Sequence, residues 1–126
     1  MSCLFQSIGK LIQKPHIHVR NEICNYMQQH LDDVHQGMTM RQWIQWQLQS
    51  PNAERYVQNM RNPSVWGGAM ELTIATKVYG VDIVVVDGHR KQVAEFLWRD
   101  ACTARKRLLV QWTGVHYDPI RVLYMG

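Results

Sequence analysis

The sequence predicts a single α+β domain, with helices in its first part and a small β-sheet towards its C-terminus. Apolar residues recur at helical spacing up to residue 80, whereas a largely β-branched run follows it. The 126 residues fit one domain, since domains of roughly 100–150 residues are the commonest. With 46% apolar and 19% charged residues the composition is globular, so we expect one domain over residues 1–126.

Five helices are expected, because each periodic apolar stretch is bounded by a residue that starts or stops a helix. Pro15 follows the first helix, Gly37 follows the second, and Gly80 takes the C-cap position of the fifth. Thr39 suits the N-cap of the third helix, and Pro51 suits the start of the fourth. The expected helices span residues 3–13, about 16–34, 40–49, 51–60 and 69–79.

Two of these helices carry predictions about burial. The apolar face of the second helix is expected to run as far as Val34. In the third helix, the spacing places Trp43, Ile44 and Leu48 on the inward side. Both faces should therefore contribute to the core.

Three strands are expected in the C-terminal part. Five of the six residues at 81–86 are β-branched, which is typical of a strand buried on both faces. Residues 108–112 and 117–124 are expected to pair as an antiparallel hairpin. The segment 91–104 is ambiguous, but one face of a helix would fit the spacing of Val93, Phe96, Leu97 and Ala101.

The net charge of +4 is concentrated in residues 89–107, which hold six basic and two acidic residues. Such a segment either neutralises phosphates or forms a solvated face. The sequence lacks a glycine-rich phosphate loop, zinc-finger spacing and an aromatic ribonucleoprotein strand. We therefore expect a solvated face and no nucleic-acid partner, and a nucleic-acid binder that uses this segment stays as the alternative.

The sequence is not expected to be a membrane protein or a secreted domain stabilised by disulfide bonds. The most hydrophobic run, residues 83–86, is far short of the ~20 residues that a membrane span needs. Three cysteines are an odd number and are widely scattered, so they do not form a disulfide framework. These features favour a reducing, intracellular setting: cytoplasm or nucleus, or the host cytoplasm if the protein is viral.

Cys3, His116 and Asp118 could form a nucleophile, a base and an orienting group. Cys3 begins the first expected helix, where unpaired backbone N–H groups and the helix dipole favour a thiolate. His116 and Asp118 are two residues apart, and residues at that spacing share one face of a strand. Asp118 could then hold one imidazole nitrogen while the other faces the thiol, as in a cysteine hydrolase.

Three segments resemble motifs of the ovarian tumour (OTU) family of deubiquitinating cysteine proteases. CLFQSI at residues 3–8 is similar to the nucleophile motif, and WGGAMEL at residues 66–72 to the central motif. VHYDPI at residues 115–120 is similar to the C-terminal histidine motif. The three occur in the family's order and span nearly the whole chain. The resemblance implies a papain-like OTU fold, a helical lobe packed on a small twisted sheet.

The resemblance also implies a mechanism. Cys3 would attack the isopeptide carbonyl at the C-terminal glycine of ubiquitin or a ubiquitin-like modifier and form a thioester that water hydrolyses. His116 would deprotonate the thiol and then protonate the leaving lysine amine, and Asp118 would fix the imidazole. The expected partners are conjugates of such a modifier.

Further residues take roles by the same resemblance. Trp66, Gly67 and Gly68 would shape the wall of the substrate site, and Tyr117 would cover the channel for the ubiquitin tail. The backbone of Ser2 and Cys3 would supply the oxyanion hole.

The chain departs from the family's Asp-Gly-x-Cys pattern, because Met1 stands at the glycine position. Two interpretations remain open. The sequence is a shortened form of a longer chain that lacks its upstream Asp-Gly segment, or the protein keeps the fold with impaired activity and binds ubiquitin or a partner.

The remaining reactive residues are expected to be structural. Cys24 lies beside apolar residues of the second helix and should be a buried thiol. Glu71 should be a charge partner at the start of the fifth helix. His16 and His18 lack a third ligand. We therefore expect no metal, no cofactor and a monomer.

Overall fold

The computed structural model describes residues 3–35, 37–97 and 105–125. Within these residues, five helices form one lobe and four longer strands form a mixed sheet. The predicted α+β class therefore agrees with the structure. The helices are α1 (Cys3–Ile12), α2 (His16–Gln29), α3 (Met40–Gln47), α4 (Ala53–Met60) and α5 (Ala69–Tyr79). The strands are β1 (Val34–His35), β2 (Met38–Thr39), β3 (Val81–Val86), β4 (Gln92–Phe96), β5 (Arg105–Trp112) and β6 (Tyr117–Met125).

The ends of the helices follow from local capping. Thr39 caps α3: its hydroxyl accepts from the backbone N–H of Gln42, whose side chain accepts in turn from the Thr39 N–H. Asn52 caps α4, so this helix begins two residues after the predicted Pro51. Gly80 ends α5 in the left-handed conformation with φ +61°, as its C-cap position predicts.

The second helix is shorter than predicted. It ends at Gln29, and Val34 lies in the two-residue strand β1 with its side chain 73% exposed. The prediction that Val34 belongs to a buried helix face is wrong. The chain turns at Asp33, whose carbonyl accepts from the N–H of Met40, and β1 pairs with β2 around Gly37 at φ +86°.

The third helix also ends early, and this changes one burial prediction. Ile44 is fully buried and Trp43 is partly buried, as expected. Leu48 is 40% exposed, so its predicted inward position is wrong. The reason is that Leu48 is the C-cap of α3 and lies beyond the helix face that packs inwards.

The four longer strands lie in the order β4-β3-β5-β6. β3 is parallel to β5, whereas the β3–β4 and β5–β6 pairs are antiparallel. The predicted β5–β6 hairpin is confirmed, with Trp112 opposite Tyr117 next to the turn. All six residues of β3 are buried, as its β-branched run predicts.

The ambiguous segment after residue 90 contains a strand. Residues 92–96 form β4, which pairs with β3 with an irregularity at Val93. The helical spacing of Val93, Phe96 and Leu97 is therefore misleading here. The Asp87 carboxylate accepts from the backbone N–H groups of His89 and Lys91, which turns the chain back along β3. Ala101, which the same pattern included, lies outside the described residues.

The core lies between the helices and the sheet. Phe5 and Ile8 of α1, Ile23 of α2, Ile83 of β3 and Leu108 of β5 are all fully buried in one cluster. α1 packs against β6 and α2. The N-terminal end of α1 is thereby set beside the start of the last strand. None of the helices in the described ranges is long and apolar enough to cross a membrane.

Candidate active site

The start of α1 and the start of β6 are joined by a hydrogen bond. The hydroxyl of Ser7 donates to the carbonyl oxygen of Tyr117 at 2.8 Å. Residue 3 precedes Ser7 by about one helical turn, and residues at this spacing lie on one face of a helix. The backbone of Cys3 is therefore on the side of α1 that faces β6. Ser2 and the side chain of Cys3 lie outside the description.

The turn before β6 holds the backbone of His116 in place. The hydroxyl of Thr113 accepts from the His116 N–H at 3.0 Å and donates to the His116 carbonyl at 3.2 Å. The Thr113 N–H also donates to that carbonyl at 3.0 Å. Gly114 has φ +97°, which a residue with a side chain rarely adopts, so glycine permits this turn. Three hydrogen bonds between Thr113 and His116 thus fix the backbone from which the imidazole extends.

His116 and Asp118 line the same cleft, which has a volume of about 500 Å³. Asp118 is exposed and lies opposite Gln111 of β5. The structure thus brings the predicted base and orienting residue to one wall, and residues of α1 form the other. The lining residues are Gln6, Ser7, Lys10, Lys14, His16, His116, Tyr117, Asp118 and Pro119.

The central motif flanks this cleft. The indole of Trp66 stacks on the imidazole of His116, with 6.2 Å between ring centroids and 27° between the ring planes. A Cβ on Gly67 would lie 3.1 Å from the ring of Phe5 and 3.3 Å from Leu4, so a side chain here would require these neighbours to shift. Trp66 itself is 48% exposed. The motif therefore presents an aromatic surface next to the histidine.

Tyr117 has a structural contact as well as a place in the cleft. Its ring packs against Trp112 at 4.6 Å between centroids, and the side chain is half-buried. This burial raises the pKa of the Tyr117 phenol. The side chain therefore belongs partly to the core and partly to the cleft wall.

Sequence reasoning missed several groups that position the site. Ser7 and Thr113 tie α1 and the turn to β6, although a threonine before glycine is an ordinary turn signal. Arg20 donates to the carbonyl of Pro63, before Trp66 in the chain, and Tyr56 donates to the carboxylate of Glu71, after it. A serine or an arginine on a helix gives no sequence signal of such a partner, because the partner is distant along the chain.

No group of three or more His, Cys, Asp or Glu side chains that could hold a metal occurs among the residues with described positions. His16 and His18 lie in α2, where residues two apart point in different directions. Cys24 is fully buried as a free thiol, and burial raises its pKa to about 11. This cysteine is therefore poorly suited to be a nucleophile.

The family and curated relatives agree with this geometry. The sequence model of the family described as "OTU-like cysteine protease" matches residues 2–118. "Ubiquitin thioesterase OTU1" of Danio rerio is 36% identical over 73 residues, covering 58% of this chain and 24% of that protein. "Ubiquitin thioesterase Otu1" of Drosophila melanogaster is 29% identical over 119 residues, covering 94% of this chain and 32% of that protein. The chain thus spans about a quarter to a third of these relatives' length.

Solved structures share the fold. "Structure of Ovarian Tumor (OTU) domain in complex with Ubiquitin" matches with a TM-score of 0.75 and 21% identity, covering 98% of this chain and 69% of that one. The viral OTU domain protease from Dera Ghazi Khan virus matches with a TM-score of 0.68 and 19% identity, over 97% of this chain and 75% of that one. The resemblance seen in the three sequence motifs is confirmed: this chain belongs to the family of OTU-like cysteine proteases.

Proposed function

We propose that this chain is a deubiquitinase, which hydrolyses isopeptide bonds at the C-terminus of ubiquitin or a ubiquitin-like modifier. The observation that carries the proposal is the convergence of three elements on one site. The start of α1 faces β6, His116 and Asp118 line the adjoining cleft, and Trp66 stacks on His116. This occurs in a chain of the OTU-like cysteine protease family.

In this mechanism Cys3 is the nucleophile. The first turn of α1 supplies unpaired backbone N–H groups and the positive end of a helix dipole, and both favour the thiolate. His116 takes the thiol proton and returns it to the leaving lysine amine, while Asp118 orients the imidazole. Attack forms a thioester between Cys3 and the modifier, and water then releases the modifier as a free carboxylate. The N–H groups of Ser2 and Cys3 stabilise the oxyanion.

The substrate tail would lie along the surface next to His116. Trp66 offers a half-exposed indole there, and Gly67 keeps its backbone pressed against Phe5. An extended tail ending in glycine needs a narrow channel, which an aromatic wall and a side-chain-free backbone provide. We assign substrate contacts to Trp66, Gly67, Gly68 and Tyr117 on this basis.

A ubiquitin probe with a C-terminal electrophile tests the proposal. We expect the probe to attach to Cys3, and Cys3→Ala to abolish the adduct, whereas Cys24→Ala leaves it unchanged because Cys24 is buried. His116→Ala should slow di-ubiquitin cleavage by about 100-fold or more, the usual contribution of a general base. The same assays should be run on a version in which Asp-Gly directly precedes Ser2.

Two results would contradict this function. If neither version forms an adduct at Cys3, the chain is not a cysteine hydrolase of ubiquitin. If ubiquitin binds, no di-ubiquitin is cleaved, and binding is the same in Cys3→Ala, the chain is instead the catalytically impaired binding module.

The finer properties are also proposals. We infer a monomer in an intracellular compartment, without a nucleic-acid partner. Arg107 of the basic segment is directed at acidic groups of the sheet, with nitrogen–oxygen distances of 3.5 Å to Asp82 and 3.9 Å to Glu95. Lys106 lies over the ring of Tyr124. Sedimentation velocity, localisation in cells and binding of labelled DNA or RNA at low salt test these three points.

A further inference from the structure

The α4–α5 loop, residues 61–68, is held at both ends by buried charged side chains. This loop carries Trp66, the residue that stacks on His116. Glu71, 1% exposed, holds its C-terminal end, and Arg20, 2% exposed, holds its N-terminal end. Neither side chain has a role in the proposed chemistry. Burying a charged side chain is costly unless it is paired, and both residues are hydrogen-bonded.

Glu71 places one oxygen on the loop and the other on α4. Its Oε1 accepts from the N–H of Gly68 at 2.7 Å, and its Oε2 accepts from the hydroxyl of Tyr56 at 2.7 Å. Burial raises the pKa of Glu71, while these two donors and the nearby charge of Arg20 act in the opposite direction. The carboxyl group is therefore fixed from both sides, and the position of Gly68 is fixed with it.

Arg20 fixes the N-terminal end of the α4–α5 loop. One guanidinium nitrogen donates to the carbonyl of Met60 at 2.7 Å, and another donates to the carbonyl of Pro63 at 3.3 Å. The guanidinium also lies over the ring of Phe5, 4.2 Å from the centroid. Phe5 is the ring against which Gly67 packs. The α4–α5 loop is thus bound to Arg20 of α2 through Pro63, before Trp66, and packs against Phe5 of α1 through Gly67, after it.

We propose that Tyr56 and Glu71 are positioning residues for the general base, because they fix the α4–α5 loop that holds Trp66 against His116. They act through Gly68 and Trp66 and touch neither the substrate nor the thiol. The inference rests on the proposed deubiquitinase function. It predicts that loss of the Tyr56–Glu71 contact affects turnover more than substrate binding, since misplacing a catalytic group by about 1 Å can cost as much as 100-fold.

Tyr56→Phe is the informative variant, because it removes the hydroxyl that Glu71 accepts from and keeps the ring. Val57→Ala is the matched control: Val57 is the next residue of α4 and is fully buried, so its truncation weakens the core from the same helix. Glu71→Gln retains a carbonyl acceptor for the Gly68 N–H, whereas Glu71→Ala does not. All four variants should be assayed at a temperature at which thermal unfolding curves show them folded.

Two measurements are needed. The first is kcat and KM for a fluorogenic amide of the ubiquitin C-terminus. We expect Tyr56→Phe to lower kcat about tenfold with KM nearly unchanged, Val57→Ala to leave both near the parent values, and Glu71→Gln to keep more activity than Glu71→Ala. The second is the NMR signal of the His116 imidazole in the substrate-free protein, which senses the Trp66 ring. It should shift in Tyr56→Phe and stay in place in Val57→Ala.

The inference fails if the His116 signal does not move in Tyr56→Phe, or if Tyr56→Phe lowers kcat no more than Val57→Ala. Failure of the proposed function looks different, since the parent protein would then show no Cys3-dependent hydrolysis. The NMR comparison would still decide in that case whether Tyr56 and Glu71 position His116.

Discussion

The hydroxyl of Ser7 donates a 2.8 Å hydrogen bond to the carbonyl oxygen of Tyr117, across 110 residues of sequence. Ser7 is 2% exposed and follows Cys3 by one turn of α1. Tyr117 follows His116 directly. This bond therefore directly connects the helix that carries the proposed nucleophile with the strand that carries the proposed base.

We expect Ser7→Ala to lower the free energy of unfolding by about 1–2 kcal/mol, because it leaves the Tyr117 carbonyl without this donor. It should also slow the labelling of Cys3 by the ubiquitin probe, since α1 and β6 lose a direct connection. Urea unfolding and labelling rates measure the two effects. Ser50→Ala is the control, because its hydroxyl bonds only locally, to the Asn52 carbonyl. Equal labelling rates in Ser7→Ala and the parent would contradict the prediction.

Gly67→Ala should destabilise the protein by about 1–3 kcal/mol, the usual cost of overpacking. The new methyl group would lie 3.1 Å from the Phe5 ring and 3.3 Å from Leu4, so the loop or α1 must shift. Gly88→Ala is the matched control, since its Cβ would find nothing closer than 3.9 Å. Chemical denaturation and probe labelling should both separate the two variants. If both behave like the parent, the close contact with α1 is unimportant.

Glu71→Gln should change how stability depends on pH. Burial raises the pKa of Glu71 above its ordinary value of 4.5, so the folded protein binds this proton more tightly than the unfolded chain does. The stability from this group is present below pH 4.5 and is lost as pH rises through the folded pKa. The parent should thus lose stability relative to Glu71→Gln over that range, by about 1.4 kcal/mol for each unit of pKa difference.

Urea unfolding of both proteins from pH 4 to pH 8 checks this. The other titrating groups contribute equally to the two proteins, so the difference between the curves isolates Glu71. A difference that is constant with pH, or that changes in the opposite direction, would show that the Glu71 pKa is not raised.

Cys24 should resist alkylation in the folded protein. Its thiol is fully buried, and burial raises its pKa to about 11 from an ordinary 9.0. At pH 8 this lowers the thiolate fraction about 100-fold, and enclosure slows the reagent further. Mass spectrometry after brief iodoacetamide treatment should find Cys24 unmodified in buffer and modified in concentrated urea. Equal modification in both would mean that α2 opens readily.

Local chemistry explains which elements the sequence predicts well. The N-cap at Thr39, the glycine at position 80 and the β-branched run of β3 each act within a few residues, so their effect is visible along the chain. The three family motifs are also contiguous segments, so each can be recognised directly in the sequence. The candidate nucleophile, base and orienting residue could therefore be named from the sequence.

The errors have a different origin. Val34 and Leu48 follow the helical spacing, but their helices end earlier because chain turns and caps outweigh the apolar pattern. Val93 follows it too, yet it lies in strand β4, where its neighbours Gln92 and Ala94 pair with β3. The bonds of Arg20 to the α4–α5 loop are invisible for the same reason: its partners are backbone carbonyls about 40 residues away. Tertiary contacts of this kind cannot be read from periodicity.

Because the proposed site needs both α1 and β6, it can form during synthesis on the ribosome only after both elements have been made. At about 5–20 residues per second, Tyr117 is made roughly 6–22 s after Ser7, and a strand still in the exit tunnel cannot dock. The emerging chain therefore holds α1 without β6 until Tyr117 has been made and has left the tunnel. The proposed active site can form only once β6 has reached α1.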